Sequence, residues 1–497
     1  MFRNSRVWLF FVVILRSLFV AAQGMPDSHI GERLGEVSFP ISCKAEVQPG
    51  FNRGVALLHS FAYVAAEDAF RDVANRDPQC ATAHWGIAMT HFHQLWEPPI
   101  PPGSAAAAQH EIEQGLRISA GTERERKYLR AAGLIFHDAD SVPYRVRAAN
   151  YEKAMYDLAR ENPGDPEAQV FYALALLANA SPTDKTHAKQ KQAADLLESL
   201  LRYPQHPGIT HYLIHACDNS ELAQRGLPAA RLYSTIAPSV PHALHMPSHI
   251  FTRLGLWDDS IASNRAAREA AHRLGDTGEE LHAMDYLVYA YLQSGHDADA
   301  AQIVEELRRQ RKLDAAEFKI GYAATAIPVR YYVERRQWTD AAVVVAPAAA
   351  PPQVVAIAVW ARGLGLVRSG RVEDARQPLA DLQKIEEGLQ ASGNDYWATQ
   401  VRILKREVMA WSAQGEGKAQ DAVALMRQAA DEEDSIEKLP VTPGPIVPAR
   451  EQLGELLLLQ GQPDLASKEF QTTLASNPGR RDALRGAALV RESLPQK

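Results

Sequence analysis

GVALLHSFAYVAAEDAFRDVANRDP, residues 54–78, is the stretch whose reading decides the fold. Gly54, Ala66, Phe70 and Pro78 stand 12, 4 and 8 residues apart. Small residues at Gly54 and Ala66 let two helices approach closely, the bulky Phe70 fills their contact, and Pro78 ends the second helix. The segment predicts a helix, a tight turn and a second, antiparallel helix. The same signature closes the chain as Gly461, Ala466, Phe470 and Pro478. Its turn-side half recurs in between, at Gly255 with Trp257 and Ser260, at Gly295 with Ala300, and at Gly370 with Ala375. Pro163, Pro204 and Pro238 mark the ends of further second helices.

This pattern resembles the tetratricopeptide repeat. The resemblance implies an all-α fold, an α-α superhelix of roughly nine or ten helix pairs spread over about residues 47–490. Composition agrees: 497 residues, 46% hydrophobic and 23% charged, make a globular chain with enough material for a long array. Residues 1–22 read as a signal peptide, with Arg3 and Arg6 before an apolar run over 7–15 and the small residues Val20, Ala21 and Ala22 after it. Residues 23–46 form a non-repeat lead-in, 47–345 an N-terminal array and 346–497 a C-terminal array, joined by the Ala/Pro stretch 346–352. Residues 97–103 (EPPIPPG) predict an exposed loop, and 439–448 carry four prolines. Every histidine precedes residue 300, so the C-terminal array reads as structural.

The leader implies an exported protein of bacterial type, periplasmic or extracellular after cleavage. The formal charge of −7 becomes −7 − 3 = −10 once Arg3, Arg6 and Arg16 leave with the leader. That acidity argues against nucleic acid as a partner. No later segment reaches membrane-spanning length without charge. Cys43, Cys80 and Cys217 are too few for a disulfide framework; export permits a Cys43–Cys80 bridge, which the spacing alone does not establish.

The chemistry lies in the histidines. His211 and His215 recur as His245 and His249, 34 residues on, and 34 is the period of one helix pair. His59 and His93 obey the same step. Counted back from the slot that ends each first helix (Glu221, placed from Pro238, then Gly255 and Gly295), His211, His215 and Asp218 in one unit, His242, His245 and His249 in the next, and His282, Asp285 and Tyr289 in a third share one helical face. The resemblance implies that this face lines the concave groove. His211, His215, His242, His245 and His249 are the predicted metal ligands, with His59, His93 and His282 as a second wall or additional ligands. Asp218, Asp285 and Tyr289 are the candidate catalytic groups, and Arg253 and Tyr212 the candidate substrate contacts. Pro247, between His245 and His249, predicts that His242 and His245 lie on an entry loop and only His249 on the helix.

Imidazole binds copper and zinc well, and the carboxylate-poor set favours these over non-haem iron. The helical pairs lack the glutamate of the zinc-protease H-E-x-x-H, with Tyr212 and Met246 in its place. Copper redox chemistry is thus favoured over zinc hydrolysis, and an oxidoreductase over a hydrolase. The alternatives are a non-catalytic scaffold that binds a peptide or partner protein in the groove, or a metal storage or delivery protein. In each reading the ligand is a small molecule or peptide held in the concave groove.

Overall fold

A computed structural model describes residues 31–95, 100–310 and 312–493. The expected signal peptide, and residues 97–99 of the 97–103 segment, lie outside the described residues.

Phe70 shows how the array is built. It sits on the helix Tyr63–Arg76, antiparallel to Gln48–His59, and faces the next first helix, Ala81–Thr90. A Cβ built on Gly54 would meet its ring at 2.6 Å, and one built on Gly86 at 2.4 Å. The ring is therefore clamped between two helix backbones that only glycine lets come so near. The other end of the chain repeats the device: Phe470, on Pro463–Ser476, lies 2.8 Å from a Cβ placed on Gly454 and 2.3 Å from one on Gly486. Gly255, Gly295 and Gly461 close their first helices at φ of 68°, 82° and 69°, a left-handed conformation that costs glycine little.

Such pairs follow one another along the chain as an α-α superhelix, and no strand occurs among the described residues. Apolar packing is continuous from Leu34 to Phe251 and again from Tyr322 to Val490, with a smaller cluster around Met284 and Leu287 between them. The lead-in is anchored by Phe39, which is buried against Phe51, Trp85 and Tyr128, and by a disulfide between Cys43 and Cys80. No helix among the described residues is long and apolar enough to cross a membrane.

Two local expectations are corrected. Pro102 and Gly103 are not loop but the first turn of the helix Pro102–Arg117, where proline's missing N–H has no partner to lose. Pro247 does not push His242 and His245 onto a loop. It splits the first helix of that unit into Pro241–His245 and Pro247–Arg253 around Met246, and each piece opens with a proline.

Candidate metal centre

Three consecutive first helices bring the histidines together. His211 and His215 lie one turn apart on Pro207–Cys217; His242 and His245 lie on the short helix Pro241–His245 and His249 on its continuation; His282 lies on Thr277–Ser294. They form not one cluster but two triads, His211–His215–His242 and His245–His249–His282. The triads are neighbours: the His242 and His245 ring centroids are 6.2 Å apart, and those of His215 and His249 6.0 Å. The division of the middle helix falls between His242 and His245 on the short helix Pro241–His245, while His245 and His249 share a triad across the kink at Pro247.

Within each triad the Nε2 atoms converge. His211 Nε2 is 3.1 Å from His215 Nε2 and 3.2 Å from His242 Nε2, and His245 Nε2 is 3.0 Å from His249 Nε2. A metal about 2.0–2.1 Å from each nitrogen sets two ligands about 2.9 Å apart at a right angle and about 3.3 Å apart at the tetrahedral angle. The observed separations fall inside that interval.

The far side of each ring fixes its tautomer. His211 Nδ1 donates to the His59 carbonyl at 2.6 Å, and His245 Nδ1 to Asn264 Oδ1 at 2.6 Å. Asn264 spends its own N–H on the Ser260 carbonyl, which leaves its oxygen for the histidine. His249 Nδ1 donates to Asp218 at 2.9 Å and His242 Nδ1 to Glu279 at 3.4 Å. Each of these rings therefore carries its proton on Nδ1 and turns the Nε2 lone pair inward. The contacts between His211 and His242, and between His245 and His249, then set lone pair against lone pair.

Five of the six rings resist the proton that would relieve this. Burial first, and then mutual repulsion among the imidazoles, push the His211, His215, His245 and His282 values well down. His249 is lowered to about 4, by burial outweighing its Asp218 partner. Burial pushes Asp218 up, but Lys438 and Arg253 outweigh it and hold the carboxylate ionised; Lys319 and His242 do the same for Glu279.

An aromatic ring closes over each triad. Phe61 packs against His211, His215 and His242, with centroids at 4.5, 5.7 and 5.4 Å. Its φ of 55° is an uncommon conformation for a bulky side chain, at the turn that follows His59. Tyr286 packs against His245, His249 and His282 at 4.7, 5.1 and 5.3 Å. Its hydroxyl donates to the Pro440 or Thr442 carbonyl, each at 3.2 Å. The proline-rich segment of the C-terminal half thus reaches the site, where Lys438 Nζ also donates to Asp218 at 2.8 Å. The expectation of a purely structural C-terminal array is corrected at this segment.

The other expected residues separate. Asp218 stands behind His249, and Arg253 holds it through Nε to Oδ1 and through its terminal nitrogen to the Asp218 carbonyl, both at 2.9 Å. Asp285 joins neither triad and pairs with Arg330 at 2.8 Å. Tyr289 packs on Trp257 and beside Arg330 and Arg480. His93 stacks on Tyr63 at 4.1 Å and joins neither triad.

His59 belongs to a third group, with Glu167 and His206. His206 Nδ1 accepts the Ile209 N–H, so its Nε2–H donates to Glu167 at 2.9 Å. His59 Nε2 donates to Glu167 at 2.7 Å, and its Nδ1 accepts from the buried Tyr212 hydroxyl at 3.0 Å. Every polar atom is matched without an ion, so this group is a hydrogen-bonded support for the His59 turn and Tyr212 is part of it. Sequence reasoning missed Phe61, Tyr286, Asn264, Glu279 and Lys438. Tyr286 carried a signal, four residues after His282 on one helix.

No family model matches the chain, and no curated protein matches it. Solved structures similar to it include the human IFIT1 dimer with m7Gppp-AAAA, at 9% identity and TM-score 0.37, covering 84% of this chain and 90% of that one. The TPR domain of P58(IPK) is 13% identical at TM-score 0.22, covering 90% and 98%. The APC/C hetero-tetramer Cut9–Hcn1 is 12% identical at TM-score 0.31, covering 91% and 85%.

Proposed function

We propose that the protein is a metal-dependent enzyme in which each histidine triad binds one transition-metal ion, copper in the first place and zinc in the second. The observation that carries this is the pair of lone-pair contacts, His211 to His242 and His245 to His249. Buried acceptors that face one another are costly unless a proton or a cation stands between them, and burial disfavours the proton. A metal ion meets the requirement at the separations found.

Three neutral imidazoles per ion leave coordination positions open for substrate. Copper suits an all-imidazole donor set, and two adjacent copper ions would supply one-electron redox steps at neighbouring positions, whereas zinc would polarise water or a carbonyl. Around them the chain's own groups orient and enclose. Asp218, Glu279, Asn264 and the His59 carbonyl lock the ring tautomers and raise ligand basicity. Phe61 and Tyr286 keep water from the inner faces of the rings. An exported setting, supported by the leader-like residues 1–22 and the Cys43–Cys80 disulfide, suits such a centre.

The test is elemental analysis and an absorption spectrum of protein purified without a histidine tag. One metal per triad is expected. His211→Ala is expected to lose the metal of the first triad only, and His249→Ala that of the second. Unchanged metal content in the double variant would sink the assignment and favour a scaffold whose concave groove binds a peptide or partner protein.

A further inference from the structure

A cavity of ≈ 460 Å³ is lined mostly by the C-terminal half, with Lys185, Ser220 and Arg253 from the N-terminal half, and no histidine lines it. Its wall includes Tyr322, Trp360, Tyr396 and Trp397 and two carboxyl side chains, Glu407 and Glu433. Trp397 sits 5.2 Å from Tyr396 and 6.5 Å from Tyr322, centroid to centroid. Glu407 is only 1% exposed, and its Oε2 has no hydrogen-bond partner among the described residues. Trp360 Nε1, close by, also falls short of hydrogen-bond geometry.

The charges around this cavity are unevenly matched. Arg253 and Lys438 border it, but both are engaged by Asp218. Lys185 and His187 engage Glu437, and Arg450 engages Asp434. Glu433 accepts the Ala449 N–H at 2.8 Å and feels Asp434 as well as the more distant Arg480 and Arg450. Glu407 feels Glu433, Gln452 and Trp360, and no cation is among the groups that act on it. A buried carboxyl with no cation beside it is costly to ionise. Burial, with Glu433 beside it, accordingly pushes Glu407 well up, and burial, with Asp434 beside it, pushes Glu433 up to about 8.

We propose that this cavity is a binding site for the primary ammonium group of a small organic amine. The Glu407–Glu433 pair takes the ammonium N–H groups, and the aromatic wall takes the charge and the alkyl chain. An ammonium supplies the cation the pair lacks, and electron-rich ring faces attract it further. The inference does not rest on metal in the histidine triads, so the two can fail separately.

The test uses the full chain at neutral pH and n-butylammonium, with 1-butanol and tetramethylammonium as controls. Tryptophan fluorescence reports on Trp360 and Trp397. Calorimetry in two buffers of different ionisation enthalpy reports the proton that the carboxyl pair releases as the cation enters. Saturable 1:1 binding with proton release is expected. Binding should weaken at least about tenfold, one pKa-unit equivalent, in Glu407→Gln and again in Glu433→Gln. Trp397→Leu, which leaves both carboxyls in place, should weaken binding and keep the proton release. Three results would each overturn the proposal: no saturable binding to the wild type, equal affinity for 1-butanol, or unchanged affinity in a folded Glu407→Gln.

Discussion

Asp218 accepts the Nδ1–H of His249 while Arg253 and Lys438 hold it from the other side. That arrangement keeps the carboxylate charged and the His249 lone pair inward. Replacing Asp218 by Asn preserves the shape but removes the charge behind one ligand. Outer partners of this kind are typically worth about 10–100-fold in metal affinity. Asp218→Asn should therefore weaken the metal of the His245–His249–His282 triad by that factor and leave the other triad's metal in place, as read by competition against a chromogenic chelator. Equal loss from both triads would contradict the division into two sites. At this scale much was legible in the sequence, because a 34-residue step and a shared helical phase put His211, His215, His245 and His249 together without coordinates. The supports were not legible. Lys438 is 220 residues from Asp218, and no local pattern encodes that meeting. Counting offsets from Gly295 picks out Tyr289 and passes over Tyr286, whereas the contact is set by which face of the helix meets His249.

Among the elements, Phe70 and Phe470 set how closely successive pairs can stack. Each ring lies between two glycine backbones, so it has no free side toward which to retreat. Gly86→Ala gains about 1 kcal/mol of helix propensity but forces a methyl group within 2.4 Å of the ring. Overpacking of this sort costs about 1–3 kcal/mol, so Gly86→Ala and Gly486→Ala should each lower stability in urea unfolding. Gly388 is the contrasting case. It is exposed on the helix Arg376–Ala391, and an added Cβ meets nothing within 4 Å. Gly388→Ala should raise stability by roughly 0.5–1 kcal/mol. A stabilised Gly86→Ala, or a destabilised Gly388→Ala, would show that packing at the repeat contacts is looser than the distances imply. The repeat signature was legible because Gly54, Ala66, Phe70 and Pro78 are all local to one pair. The kink at Met246 was misread, because a proline after a histidine pair signals a break without saying that both pieces stay helical.

For the molecule as a whole, two sets of buried groups pull its stability in opposite directions with pH. His211, His215, His245, His249 and His282 all titrate below their ordinary value in the folded chain, His249 at about 4. The unfolded chain takes up protons first as pH falls through about 6.5, so this contribution is present above that value and is lost on the way down to about 4. Glu407, Glu433 and Glu334 behave inversely: burial raises all three, Glu433 to about 8 and Glu334 to about 7. Their contribution is present below the ordinary carboxylate value of about 4.3 and is lost as pH rises through about 7–8. With more histidines than carboxyls involved, chelator-treated protein should lose stability on acidification from about 6.5, and lose it again on the alkaline side toward about 8. Glu433→Gln should flatten the alkaline limb and steepen the part of the acid limb above about 4.3, where the carboxyl opposes the histidines. Bound metal adds a further term: free metal at 100 times its Kd stabilises the fold by about 2.7 kcal/mol per independent site, and protons competing for the imidazoles withdraw that gain as pH falls. Thermal unfolding with and without chelator across this pH range separates the terms. An acid limb that is absent from metal-free protein would mean that these five imidazoles are not held neutral by burial. The lone-pair contacts would then be relieved by protons, and the triads would no longer require two metal ions.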